Sequence, residues 1–116
     1  MNPKLQTPEV DHLFDAVLTL KSREECYKLF SDVCTIKELL AMAQRYEVAM
    51  MLTKKMTYLD IADKTGASTA TISRVNRSLT YGEDGYMLVF DRLGVFDEAN
   101  EKEESGKGKS KKDKAR

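Results

Sequence analysis

"GASTATISRVNRSL", residues 66–79, is the stretch on which the reading of this chain turns. It holds two arginines, five hydroxyl side chains and three aliphatic residues, Ile72, Val75 and Leu79, at the i, i+3, i+7 positions of a helix. That spacing predicts a helix with one apolar side. A core helix has no use for so many hydroxyls, and a plain surface helix has no use for the aliphatic stripe. Ser68 supplies an N-cap, so the helix is expected over residues 69–79. Gly66, just upstream, tolerates the left-handed backbone that ends a helix.

The residues before it complete a pattern. Thr57, with Asp60 three positions on, caps a short helix, "YLDIADKT", over residues 58–65. Ala62 is small enough for close approach midway along that helix. Gly66 follows four positions later, and Ile61 anchors the first helix as Ile72 and Val75 anchor the second. Two short helices packed steeply around a tight turn have these steric needs at this spacing, so a helix-turn-helix is expected over about residues 57–80. The alternative at this point is two ordinary capped helices joined by a glycine.

With the stripe facing inward, Thr69, Ala70, Ser73, Arg74 and Arg77 face outward. In helix-turn-helix proteins the N-terminal residues of the second helix meet base edges in the major groove. Thr69, Ala70 and Ser73 are small enough to let a helix enter it. A methyl of Ala70 or Thr69 suits a thymine methyl, and hydroxyls bond donors or acceptors alike. Ser68 and Thr69 lie where free N–H groups favour a phosphate. Arg74 and Arg77 can reach guanine or phosphate, and Lys54, Lys55 and Lys64 suit phosphates. Each of these is also, taken singly, an ordinary solvated residue.

Charge is segregated along the chain although the formal net charge is +0. Residues 54–80 hold five bases against two acids, residues 81–104 eight acids against two bases, and residues 105–116 six bases against one acid. Local fields therefore matter more than the total. From about residue 98 the chain has no apolar residue beyond alanine, so burial cannot offset ordering entropy, and 98–116 is expected to be a disordered tail beside a domain over 1–97. That basic tail either adds non-specific DNA affinity or serves solubility.

Three more helices are expected upstream. Thr7-Pro8-Glu9 reads as cap, first helical position and acid, followed by Val10, Leu13, Phe14, Val17 and Leu18. Ser22 with Glu25, and Thr35 with Glu38, are capping-box spacings. The second opens a long helix over 36–55 that is apolar on more than one face, which calls for burial on several sides. A partner subunit meets that need; so does the centre of a monomeric bundle. A last helix is expected over 86–96, within which "MLVF" is short enough to be a strand instead.

Several function classes lose support. Two cysteines, Cys26 and Cys34, and one histidine, His12, are too few for a structural zinc site. No acid, base and nucleophile cluster together, so an enzyme is not expected. No apolar run approaches the ~18 residues of a membrane span. The start "MNPKLQTPEV" has no apolar core of a signal peptide, so a cytoplasmic protein is expected.

"KKMTYLDIADKTGASTATISRVNRSL", residues 54–79, resembles the DNA-reading part of the Trp repressor superfamily, close to its bacterial Trp-repressor-like proteins of uncertain effector. Gly66-Ala67, the run Ala70-Thr71-Ile72-Ser73-Arg74 and Ser78-Leu79 carry the likeness. The resemblance extends over about residues 8–96. It implies an all-α fold of about six helices, an intertwined homodimer whose long helix crosses its mate, and double-stranded operator DNA with two half-sites. It also implies a slot for an effector, with Gln44, Arg45, Arg74, Val75 and Ser78 as its counterparts here. Tryptophan-binding members carry an arginine where Gln44 stands and a glycine where Val75 stands, so tryptophan is not expected as corepressor and no cofactor is expected. Leu59 and Ala62 stand where the repressor uses cations, so a different operator is expected. The function expected is a dimeric, sequence-specific transcriptional regulator. A weakly specific architectural DNA binder or a helical interaction module is the alternative.

Overall fold

The computed structural model describes residues 1–95. Among them are six α-helices, a short 3₁₀ turn at Pro3–Leu5 and no strand: α1 (Pro8–Val17), α2 (Arg23–Val33), α3 (Ile36–Thr53), α4 (Tyr58–Thr65), α5 (Thr69–Tyr81) and α6 (Gly85–Leu93). The all-α reading holds, and "MLVF" is helical. The expected tail lies outside the described residues.

The starts follow the caps. Thr7 Oγ1 accepts from the Val10 N–H at 3.2 Å. At α3 the capping box closes both ways: the Glu38 N–H donates to Thr35 Oγ1 at 3.0 Å and the Thr35 N–H to Glu38 Oε1 at 2.8 Å. At α2 Ser22 Oγ accepts from the Glu25 N–H at 3.1 Å, but the return bond comes from the Lys21 N–H, one residue before the cap.

Three boundaries differ from expectation. α3 stops at Thr53 rather than residue 55. Its end is a Schellman motif: the Lys55 N–H donates to the Leu52 carbonyl at 3.0 Å and the Met56 N–H to the Met51 carbonyl at 3.1 Å. Lys55 takes the left-handed position, φ 67, which glycine usually fills. α5 runs on to Tyr81, two residues beyond the expected end. It stops at Gly82 with an extended backbone, and a Cβ there would collide with the Ser78 carbonyl. α6 starts at Gly85 and stops at Leu93, because Gly94 turns left-handed.

The chain divides into two compact units, residues 1–43 and residues 44 onward. Among the described residues all of the buried ones belong to the second: Val48, Ala49, Ile61, Ala67, Ile72, Val75, Phe90 and Val95. This core joins the C-terminal half of α3 to α4, α5 and α6. Around it Tyr46, Tyr86 and Phe90 form an aromatic trio, with Tyr46 edge-on to Phe90 at 5.4 Å between centroids. Burial, and secondarily the Glu47 carboxylate, raise the Tyr46 phenol above its ordinary pKa, so it stays neutral.

The first unit has no buried residue. Phe14, Leu18, Tyr27, Val33, Ile36 and Leu40 are all exposed. Between α2 and the start of α3 lies an open, apolar cleft of about 340 Å³, lined by Arg23, Cys26, Tyr27, Phe30, Leu39, Leu40 and Ala43.

Candidate nucleic-acid interface

The second unit places α4 and α5 against each other across a three-residue turn. Thr57 Oγ1 accepts from the Asp60 N–H at 3.1 Å and starts α4 where expected. Gly66 ends it at φ 75, with its N–H on the Ala62 carbonyl at 2.8 Å. Thr65 locks the turn from both sides. Its hydroxyl donates to the Ile61 carbonyl at 2.7 Å and accepts from the Ala67 N–H at 3.1 Å. Ala67 is thereby drawn into the core, 5% exposed. Ser68 Oγ then accepts from the Thr71 N–H at 3.1 Å and opens α5.

α5 has two chemically distinct sides. Ile72 and Val75 are buried, 0% and 2% exposed, and Leu79 packs at the edge of the core. Ser68, Thr69, Ala70, Ser73, Arg74 and Arg77 are exposed. The helix therefore presents hydroxyls, a methyl and two guanidinium groups to solvent on a face held by its aliphatic side. The Thr69 and Ala70 N–H groups belong to the first turn, which has no intrahelical acceptors for them, so this end of α5 carries partial positive charge.

Among the lysines, Lys55 and Lys64 are exposed and Lys54 is half-buried. Lys54 and Lys55 lie in the α3 C-terminal motif, three and two residues before the Thr57 cap of α4, and Lys64 in the last turn of α4. Leu59, on the first turn of α4, is 81% exposed.

The residues weighed for an effector slot separate into two groups. Arg45, Arg74 and Ser78 are exposed. Gln44 and Val75 are turned inward and already occupied. The Gln44 side-chain amide donates to the Thr65 carbonyl at 3.1 Å, capping the end of α4 from α3. Val75 fills the core.

Two features escaped the sequence reading. The Gln44 bond spans 21 residues, and no local spacing signals it. Tyr81, two residues beyond the expected end of α5, is its last residue and lies under Arg77, whose guanidinium carbon is 5.7 Å from the ring centroid. The signal was the i, i+4 spacing of Arg77 and Tyr81, hidden by the glycine that follows.

A family model for Trp repressor protein matches residues 8–94, from the start of α1 to the end of α6. The chain belongs to the Trp repressor family. Members of this family are helix-turn-helix DNA-binding regulators rather than enzymes, and α4 and α5 of this chain are two short helices packed on each other across a tight turn. The uncharacterized protein YerC of Bacillus subtilis is 54% identical over 90 residues, taking in 78% of this chain and 86% of YerC. Two solved structures share the fold. A TrpR-like protein from Eubacterium eligens has 64% identity and a TM-score of 0.79, covering 80% of this chain and 96% of the other. A candidate Trp repressor from Staphylococcus aureus has 50% identity and a TM-score of 0.77, covering 79% and 92%.

Proposed function

We propose that this protein is a cytoplasmic, sequence-specific transcriptional regulator that binds double-stranded DNA as a homodimer. The observation that carries the reading is the division of α5, with Ile72 and Val75 buried beneath it and Thr69, Ala70, Ser73, Arg74 and Arg77 exposed above. Thr69, Ala70 and Ser73 meet base edges in the major groove. Ser68 and the first N–H groups of α5 receive a phosphate. Lys54, Lys55 and Lys64 take phosphates alongside and add affinity without sequence choice. Arg74 and Arg77 engage the duplex from the middle of the helix.

Dimerisation is supported by the first unit, whose apolar side chains stay uncovered in a single chain. A second copy covers them and sets two reading helices on one duplex. Half-sites then repeat at about one helical turn, 34–36 Å, or a multiple of it. Tryptophan is not the corepressor: Val75 is committed to the core, and Gln44 to the end of α4. The DNA-binding domain in this reading comprises residues 1–97.

Selection of genomic fragments by the purified full chain, followed by affinity measurements at two salt concentrations, tests this. A regulator recovers a shared, two-fold related sequence and holds it about 10³-fold more tightly than unrelated DNA at physiological salt. Recovery of unrelated fragments, with nearly all affinity lost as salt rises, contradicts the reading and makes the protein a weakly specific architectural binder.

A further inference from the structure

Tyr81 is 78% exposed at the end of α5. A large ring left in solvent gains little from burial, so its value lies in what it holds. It holds Arg77, one turn back on the same helix face, at 5.7 Å from guanidinium carbon to ring centroid. The ring attracts the cation without neutralising it, as a carboxylate would, and the N–H fork stays open to an acceptor. The neighbouring Thr80 hydroxyl is turned back onto the Asn76 carbonyl at 3.0 Å and does not compete.

Position along α5 says which acceptor. Arg77 lies eight residues beyond Thr69, the first residue of the helix. At 1.5 Å per residue that is about 12 Å along the axis. The major groove is about 12 Å wide. When the N-terminal end of α5 meets base edges, a side chain this far along stands at the groove wall, where the acceptors are phosphate oxygens. We propose that Tyr81 is a positioning residue that holds the Arg77 guanidinium ready for a backbone phosphate of the bound duplex, an inference resting on the DNA-binding reading above. An unrestrained arginine surrenders much rotamer freedom when it docks, and the ring removes part of that loss beforehand.

The test uses fluorescence anisotropy of the full chain on a selected genomic duplex and on a scrambled one, each at two salt concentrations. Arg77→Ala weakens both duplexes about tenfold and reduces the salt slope by about one. Tyr81→Ala weakens both about threefold, and Tyr81→Phe, which keeps the ring, stays within about twofold of the parent. The double variant binds no worse than Arg77→Ala alone, because the ring acts only through the guanidinium. Thermal melts of all four match the parent, since both side chains are exposed. Parental affinity in Tyr81→Ala overturns the proposal. So does a double variant about thirtyfold weaker than the parent, or a Tyr81→Phe protein as weak as Tyr81→Ala. A loss confined to the selected duplex overturns it too, since that means base reading. If Ala70→Glu abolishes binding while the Tyr81 variants bind like the parent, only the positioning role falls. If the parent binds neither duplex, the DNA-binding reading falls with it.

Discussion

Lys55 is the residue at which backbone geometry and charge pull in different directions. A lysine in the left-handed region is strained where glycine is not, and its N–H still closes the Schellman motif. Such strain recurs at functional positions. Lys55→Gly is expected to stabilise the fold by about 0.5–1 kcal/mol, seen as a higher midpoint in urea, and to reduce the salt slope of DNA binding by about one. A gain in stability with unchanged DNA binding would remove Lys55 from the interface. Val75 presents the reverse case, a residue whose role is set by packing. Val75→Gly restores the glycine of tryptophan-binding relatives, yet it empties part of the core and puts glycine inside a helix. A loss of about 3 kcal/mol is expected in denaturant unfolding, with no heat of L-tryptophan binding by calorimetry. A stable variant that binds tryptophan would show that Val75 guards a slot rather than fills the core.

At the scale of elements, the helix-turn-helix was legible because its signals are local. Thr57, Gly66 and Ser68 each act on groups within four residues, and the stripe of Ile72, Val75 and Leu79 has the period of one helix. What stayed hidden depends on distant or uncommon chemistry. The Gln44 bond to Thr65 joins α3 to α4 across the sequence, and the end of α3 was missed because lysine fills the place of glycine. The last turn of α5 was missed because Gly82 reads as a turn residue. Its role is steric: a side chain there meets the Ser78 backbone. Gly82→Ala is therefore expected to displace the end of α5 and cost about 1–3 kcal/mol, lowering the melting temperature by several degrees. An unchanged melt would mean the α5 terminus relaxes freely.

For the whole molecule, the long helix over 36–55, apolar on more than one face, is the sequence feature that calls for a partner, and the exposed apolar residues of the first unit add to it, though residue spacing says nothing of how two copies meet. The family assignment accounts for the order of the six helices, and the candidate contacts rest on which side chains of α5 are exposed. If a second copy covers Phe14, Leu18, Tyr27 and Leu40, folding is coupled to association. The melting temperature then rises with protein concentration, and sedimentation gives a dimer at micromolar concentration. A concentration-independent melt of a monomer would contradict this. The most direct measurement compares the affinity of the unmodified chain and of Ala70→Glu for a selected genomic duplex at physiological salt, with thermal melts recorded alongside. A carboxylate on the exposed face of α5 would sit among bases and phosphates, so a loss of at least about 100-fold is predicted with an unchanged melt. An Ala70→Glu protein that binds within about threefold of the parent would place DNA on some other surface.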